Sequence, residues 1–139
     1  MTRKLLIVED EIDLATSLAD LFSINGWVVE LAENGVQGLL KVQSFKPSVI
    51  LSDIHMPQMD GLEFAKSLFE DNNLVPLVFL SGFRDENKMQ KAWIYGVFDF
   101  LDKPVPTKEI LRVCESAHLF GPEYLIKSRG RARKIYKAS

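Results

Sequence analysis

Five short apolar runs alternate along the chain with five longer amphipathic segments, and this alternation limits the possible folds more than any other feature. The apolar runs have the length of β-strands and lie at residues 5–8, 27–31, 49–51, 75–80 and 97–101. The segments that follow them place apolar residues at helical spacing, at residues 12–24, 36–45, 62–69, 85–95 and 107–119. The inner runs are apolar without alternation, as in strands that are buried on both faces. The pattern predicts an α/β fold of the (βα)5 type, a doubly wound parallel five-stranded sheet with helices on both faces.

Length and cysteine content narrow the class of protein further. A chain of 139 residues fits a single domain that buries a substantial core. Cys114 is the single cysteine, which excludes an internal disulfide framework and fits a reducing compartment. No apolar stretch approaches the roughly 20 residues of a membrane span, and residues 9–11 interrupt the first apolar run too early for a signal peptide. We therefore expect a cytoplasmic protein without membrane insertion.

Charge is distributed unevenly along the chain. Residues 1–121 hold 11 Lys and Arg against 18 Asp and Glu, a net charge of −7, whereas residues 122–139 hold six basic residues and one acidic residue, a net charge of +5. We expect a domain at 1–121 and a basic C-terminal tail at 122–139 that is disordered. The tail could solubilise the protein, contact an acidic protein surface, or make a weak, salt-dependent contact with nucleic acid.

Polar residues follow four of the five predicted strands. Glu9 and Asp10 follow the first strand, Asp53 the third, Ser81 the fourth and Lys103 the fifth. Because the carboxyl ends of parallel strands lie at one edge of a sheet, we expect these side chains to converge there. Clustered carboxylates favour a hard divalent cation, and Mg²⁺ suits a site with few protein ligands. A cation, an ammonium group and a hydroxyl together favour phosphoryl transfer to an aspartate.

Four motifs carry a resemblance to a known family. They are "LLIVEDE", "ILSDIHMPQMDG", "FLSG" and "FLDKP", and they fall between residues 5 and 104. As a set they resemble the receiver domain of two-component response regulators, in particular the single-domain chemotaxis type, and the fifth predicted helix extends the resemblance to about residue 119. The resemblance implies a flavodoxin-like fold and a phosphoryl group received from a histidine kinase or a phosphotransfer protein. It also implies a surface that switches to bind a downstream protein partner.

The same resemblance implies a role for each acidic residue of the predicted site. Asp53 corresponds to the phosphoacceptor. Mg²⁺ would be held by Asp10, by Asp53 itself, by Glu9 partly through water, and by the backbone carbonyl of His55. The turn-forming residues at 56–61 are expected to leave Asp53 exposed above the sheet. Catalysis would be limited to self-phosphorylation from a donor and to autodephosphorylation.

Three further roles follow from the resemblance. Ser81 would hydrogen-bond the phosphoryl group, and Lys103 would pair with it, oriented by a cis bond to Pro104. Phe100 would be an aromatic switch whose rotamer follows Ser81. The side chain of His55 is expected to be an exposed loop residue, and His118 a surface residue near a helix C-terminus, where the helix dipole favours its charged form.

Three other functions remain as alternatives at this point. The first is a Mg²⁺-dependent phosphohydrolase with Asp53 as nucleophile, although haloacid-dehalogenase-like enzymes carry a second Asp two residues on, where this chain has His55. The second is a flavin mononucleotide binder, although the acidic residues at 9–11 would repel its phosphate. The third is a receiver that acts by partner binding alone, against which the complete acceptor set argues.

Overall fold

Five strands and five helices alternate along the chain in the computed structural model, which describes residues 2–83 and 85–138, with the backbone alone for 132–138. The strands are β1 (Lys4–Val8), β2 (Val28–Ala32), β3 (Val49–Asp53), β4 (Leu77–Ser81) and β5 (Asp99–Asp102). The helices are α1 (Ile12–Ile24), α2 (Gly35–Phe45), α3 (Gly61–Glu70), α4 (Glu86–Ile94) and α5 (Thr107–Ala138). The predicted (βα)5 order is confirmed.

All five strands belong to one parallel sheet in the order β2-β1-β3-β4-β5. The register pairs Val8 with Ser52 and Ser81 with Asp102, so the carboxyl ends of the strands lie along one edge. The strand order reverses between β1 and β3, and in open parallel sheets ligands bind at the carboxyl ends beside such a reversal. The predicted doubly wound, flavodoxin-like fold is confirmed.

The core consists of two apolar layers, one on each face of the sheet. Helices α1 and α5 cover one face, where Phe22 and Cys114 are fully buried. Helices α2, α3 and α4 cover the other face around Phe64 and Phe79. Strands β1, β3 and β4 are buried along nearly their whole length, which explains their continuous apolar runs. Cys114 is thus a core residue, and burial raises the pKa of its thiol.

Side-chain caps fix the helix starts next to the carboxyl edge. Asn34 caps α2 by accepting the backbone N–H of Gln37 at 2.9 Å, as its position before the helical pattern predicts. Asp60 caps α3 in the same way through the N–H of Glu63. These caps anchor the loops that surround the predicted site.

Helix α5 is much longer than predicted. The sequence indicates a helix end near residue 119 and a disordered tail from residue 122, yet one helix continues through Ala138. We call residues 120–138 the α5 extension. Pro122 lies within the helix and removes one backbone donor without ending it. The prediction of disorder is wrong for residues 122–131, and Ser139 lies outside the described residues.

One row of residues explains why the α5 extension is ordered. Gly121, Leu125 and Arg129 follow each other at a spacing of four residues, so they share one side of the helix, and all three are buried. Gly121 lies against Pro76, whose ring leaves no room for a Cβ atom at position 121. Arg129 donates a hydrogen bond to the carbonyl of Asn73. The row therefore packs beneath the amino-terminal end of the sheet.

Two contacts join the α5 extension to the segment before β5, and a third joins it to α3. The hydroxyl of Tyr124 donates to the carbonyl of Val97 at 3.3 Å, and its ring meets that of Phe98 edge-on at 5.6 Å. The guanidinium of Arg129 lies 5.9 Å from the centroid of the Phe69 ring. These partners lie 26 to 60 residues away in the sequence, so helical periodicity alone does not identify them.

The position of His118 also differs from the expectation. Because α5 continues, His118 lies inside the helix and is not close to its C-terminus. Its ring is partly buried, 5.7 Å from the Trp27 ring. Burial and the nearby charge of Arg3 lower the pKa of His118, so the fold favours the neutral form.

Within residues 2–83 and 85–138, none of the helices combines the length and the apolar character that crossing a bilayer requires.

Candidate functional site

Three carboxylates meet at the carboxyl edge of the sheet. Glu9 and Asp10 directly follow β1, and Asp53 is the last residue of β3. Each offers one oxygen, and these three atoms lie within 4.8 Å of one another. Glu9 and Asp53 are buried, whereas Asp10 is exposed. The three acidic residues of the predicted metal site therefore converge.

Lys103 lies between two of these carboxylates. Its Nζ donates to Glu9 Oε1 and to Asp53 Oδ2, each at 3.2 Å. Partial burial alone would lower the pKa of Lys103, but the attraction of Asp53 and Glu9 outweighs burial and the pKa is raised. The Lys103–Pro104 peptide bond is cis, and the backbone N–H of Lys103 donates to the carbonyl of Ser81 at 2.7 Å. Lys103 is thus a fixed positive charge beside Asp53.

The pKa of Glu9 indicates that Lys103 alone does not neutralise the acidic cluster. Burial raises the pKa of Glu9 to about 7, and the charge of Asp53 adds to this effect. The backbone N–H of Glu11 and the Lys103 ammonium act in the opposite direction but do not cancel the rise. A second cation in the cluster would relieve the repulsion and allow Glu9 to ionise. The all-oxygen donor set fits a hard divalent ion such as Mg²⁺.

The loop after β3 wraps closely around Asp53. The backbone N–H of His55 donates to Asp53 Oδ1 at 3.1 Å, and the N–H of Gly61 donates to the carbonyl of Ile54 at 2.7 Å. A Cβ atom at Gly61 would lie 2.7 Å from the Asp53 carbonyl, which explains the glycine at this position. Asp53 is only 9% exposed, so the expectation of a freely exposed carboxylate is wrong. The loop and Lys103 leave a narrow approach to it.

Ser81 ends β4 beside the cluster, but its hydroxyl points to its own loop. Its Oγ donates to the carbonyl of Phe83 at 2.6 Å and accepts the Phe83 N–H at 3.3 Å. His55 Nε2 lies 3.4 Å from the same carbonyl. The side chain of His55 is thus an exposed loop residue, as expected, and it also contacts the β4–α4 loop. Phe83 was not identified from the sequence, because no motif marks a backbone carbonyl as a partner.

A second link joins the loop around Asp53 to α4. Lys88 Nζ lies 3.2 Å from Asp60 Oδ2, and both side chains are largely shielded from solvent. Asp60 also caps α3 through its Oδ1. The pairing with Lys88, 28 residues away, has no local signal in the sequence.

Phe100 lies on β5 between the sheet and α4. Its ring centroid is 5.5 Å from that of Phe79 and 5.0 Å from that of Trp93. The ring is only partly buried, so it contacts α4 without being locked in the core. This position is compatible with a ring that moves, and the switch role stays a prediction.

Known proteins resemble the chain in sequence and in structure. A family model described as "Response regulator receiver domain" matches residues 5–115. The Response regulator MprA of Mycobacterium ulcerans (strain Agy99) is 34% identical over 112 residues, which are 80% of this chain and 48% of that protein. The chain thus spans about half the length of the curated relatives that it matches.

Solved structures agree with the family match. The Vibrio cholerae chemotaxis protein CheY4 superposes with a TM-score of 0.77 at 28% identity, over 83% of this chain and 98% of that one. The crystal structure of FixJ-N gives a TM-score of 0.77 at 26% identity, over 85% and 94% of the two chains.

The family match leaves the phosphohydrolase alternative without support, since the residue two positions after Asp53 is His55, which is not a second acid. Because the match covers most of the chain, the chain belongs to the family of response regulator receiver domains, the phosphoryl-accepting signalling modules of two-component systems.

Proposed function

We propose that Asp53 is the phosphoacceptor of this receiver domain. The observation that carries the proposal is the Asp53 carboxylate itself, which sits within the acidic cluster while Lys103 Nζ donates to one of its oxygens and the His55 N–H to the other. Within the described residues, it is the carboxylate at the centre of the site, at the end of a central strand. The Lys103 ammonium and the His55 N–H already lie beside this carboxylate, so they can stabilise the negative charge of a phosphoryl group that Asp53 attacks.

Magnesium would be held by Glu9, Asp10 and Asp53, with the His55 carbonyl as a further ligand. The shared chemistry of these donors, all oxygen, and the raised pKa of Glu9 support this assignment. When bound, the ion supplies charge neutralisation for the phosphoryl oxygens. Glu9, whose pKa is raised by burial, would serve the ion as a carboxylate, partly through water.

In the transfer, an oxygen of Asp53 bonds to phosphorus as the bond between phosphorus and the donor's leaving atom breaks. That atom is a nitrogen in a phosphohistidine and an oxygen in acetyl phosphate, and it keeps the electron pair of the broken bond. The histidine nitrogen takes a proton as it leaves, whereas acetate leaves as a carboxylate and needs none. Lys103 stabilises the charge of the phosphoryl oxygens, because its ammonium already lies 3.2 Å from Asp53. The protein's own catalysis is limited to this step and to hydrolysis of the resulting acyl phosphate.

Ser81 connects the phosphoryl group to a partner-binding surface formed by α4, β5 and α5. Its hydroxyl leaves the Phe83 carbonyl and donates to a phosphoryl oxygen, which frees the β4–α4 loop to move. Phe100, which already contacts Trp93 of α4, follows this movement. The resulting change in α4, β5 and α5 alters the affinity for a downstream protein. A histidine kinase or phosphotransfer protein supplies the phosphoryl group.

Two expectations from the sequence stay predictions. One is a cytoplasmic location. The other is a weak contact of the basic residues 122–139 with nucleic acid, for which net charge is the only support.

Intact mass measurement tests the phosphoacceptor directly. Incubation with Mg²⁺ and acetyl phosphate is expected to add one phosphoryl mass to the wild type and to Asp20→Ala, a control on the exposed face of α1. Asp53→Ala should gain nothing. A phosphoryl adduct of equal yield in Asp53→Ala would show that another residue accepts the group.

A further inference from the structure

The α5 extension has an outer side that no part of the described structure covers. Opposite the buried row of Gly121, Leu125 and Arg129, the large apolar residues Phe120 and Ile126 are 62% and 60% exposed. Leu119, one residue before the extension, is 71% exposed. Apolar residues at adjacent helical positions with this exposure are unusual on a surface that meets only water.

Basic residues continue the same side of the helix. By helical spacing, Leu119 and Ile126 lie on one row of the helix, and positions 133 and 137 continue that row. Phe120 and Lys127 lie on the neighbouring row, and positions 131 and 134 continue it. All four of these later positions are basic in the sequence. Lys127 and Arg131 are exposed, and Glu123 is the single acidic residue of the extension. The exposed apolar side chains of Leu119, Phe120 and Ile126 are thus followed on this side by the exposed basic side chains of Lys127 and Arg131.

The location of this surface keeps it away from the acidic site. The α5 extension contacts Pro76 and Val97, which precede β4 and β5, whereas the acidic cluster lies at the opposite ends of the strands. Strands of five residues separate the two edges by about 16 Å. That distance exceeds the Debye length of about 8 Å at physiological salt. A negatively charged surface can therefore approach the extension with little repulsion from the acidic cluster.

We propose that the outer side of the α5 extension docks the protein on an anionic lipid bilayer surface. Basic side chains attract anionic headgroups, and exposed Leu, Phe and Ile side chains gain free energy in the boundary between headgroups and acyl chains. Nucleic acid would use the same charges but would offer aliphatic side chains no apolar environment. The docking is peripheral, and the buried row of the extension keeps its contacts with the sheet.

Cosedimentation with lipid vesicles tests the proposal. The full chain is expected to sediment with vesicles of phosphatidylcholine and phosphatidylserine at low salt, less at high salt, and not with phosphatidylcholine alone. Lys127→Gln/Arg131→Gln should weaken partitioning about fivefold for each charge removed, or roughly 25-fold in total. Phe120→Ser/Ile126→Ser should weaken it at every salt concentration. The pair Lys66→Gln/Lys108→Gln, which removes the same charge from α3 and from the start of α5, should bind as the wild type does.

The changed residues are exposed, so each variant should fold as the wild type does. Circular dichroism and phosphorylation of Asp53 check this for each variant. Equal binding to neutral vesicles, or an equal loss in the control pair, would overturn the proposal. So would absence of sedimentation by the intact wild type with the anionic vesicles. Tighter binding to duplex DNA, unaffected by Phe120→Ser/Ile126→Ser, would assign the surface to nucleic acid instead.

Discussion

Leu125 and Ile126 are neighbours in the α5 extension with opposite environments. Leu125 is 1% exposed and packs against Gly96, whereas Ile126 is 60% exposed. If the extension is an integral part of the domain, Leu125→Ala should be destabilising and Ile126→Ala should not. The comparison therefore tests whether the helix beyond residue 119 contributes to the free energy of folding.

The size of the effect follows from the atoms removed. Leu125→Ala deletes three carbon atoms from a buried site, which costs about 2.4 kcal/mol in transfer free energy at ~0.8 kcal/mol per carbon. The cavity left behind raises the total into the range of about 2–5 kcal/mol. Exposed Ile126→Ala removes little buried area and places a better helix former, so the change should stay within about 0.5 kcal/mol.

Urea unfolding followed by circular dichroism measures both variants. A loss of about 3 kcal/mol should lower the midpoint of Leu125→Ala clearly and its melting temperature by roughly 10 °C. Equal midpoints for the two variants would contradict the packing argument. Lost helix signal in Leu125→Ala without a shifted midpoint would do so as well, since it would mean that the extension unfolds separately from the domain.

Two other predictions concern packing and pH. Gly121→Ala should destabilise the domain by about 1–3 kcal/mol, because the new Cβ would meet the rigid Pro76 ring. Gly130 has open space around it, so Gly130→Ala should stabilise the domain by up to about 1 kcal/mol. Thermal melts of the two variants measure both effects. Because the pKa of His118 is lowered in the fold, the unfolded chain binds its proton more tightly. Stability from this residue is therefore fully present above the ordinary value of 6.5 and decreases as the pH falls below it toward the folded pKa. The raised pKa of Glu9 gives the opposite dependence in the same pH range and acts equally in the wild type and in His118→Gln, so the test is the difference between their urea midpoints from pH 8 down to pH 5. The wild type should lose stability relative to His118→Gln as the pH falls; a difference that does not change with pH would contradict the prediction.

Much of the candidate site could be predicted because the signals are local. Asn34 precedes a helical pattern, and Glu9, Asp10 and Asp53 follow apolar runs. A parallel sheet brings strand ends together whatever the details of packing. The convergence of these carboxylates therefore required only the correct assignment of strands.

Other parts of the site depend on distances that no local pattern encodes. No local pattern indicates that the Ser81 hydroxyl donates to the Phe83 carbonyl. The exposure of Asp53 depends on how closely the loop at Gly61 and the side chain of Lys103 approach it. Orientation and access are set by side chains from several strands and loops, and each contact involves residues far apart in the sequence.

Hydrophobic periodicity and strand direction are properties of local segments, so they predict the alternation of strands and helices and the residues that meet at the carboxyl edge. The path of the chain after residue 119 depends instead on tertiary packing. The net charge of residues 122–139 favoured disorder, yet Leu125 and Arg129 find partners at Gly96 and Asn73. Burial against partners elsewhere in the chain offsets the entropy of ordering a helix, and that gain appears only once the fold has placed the partners beside it.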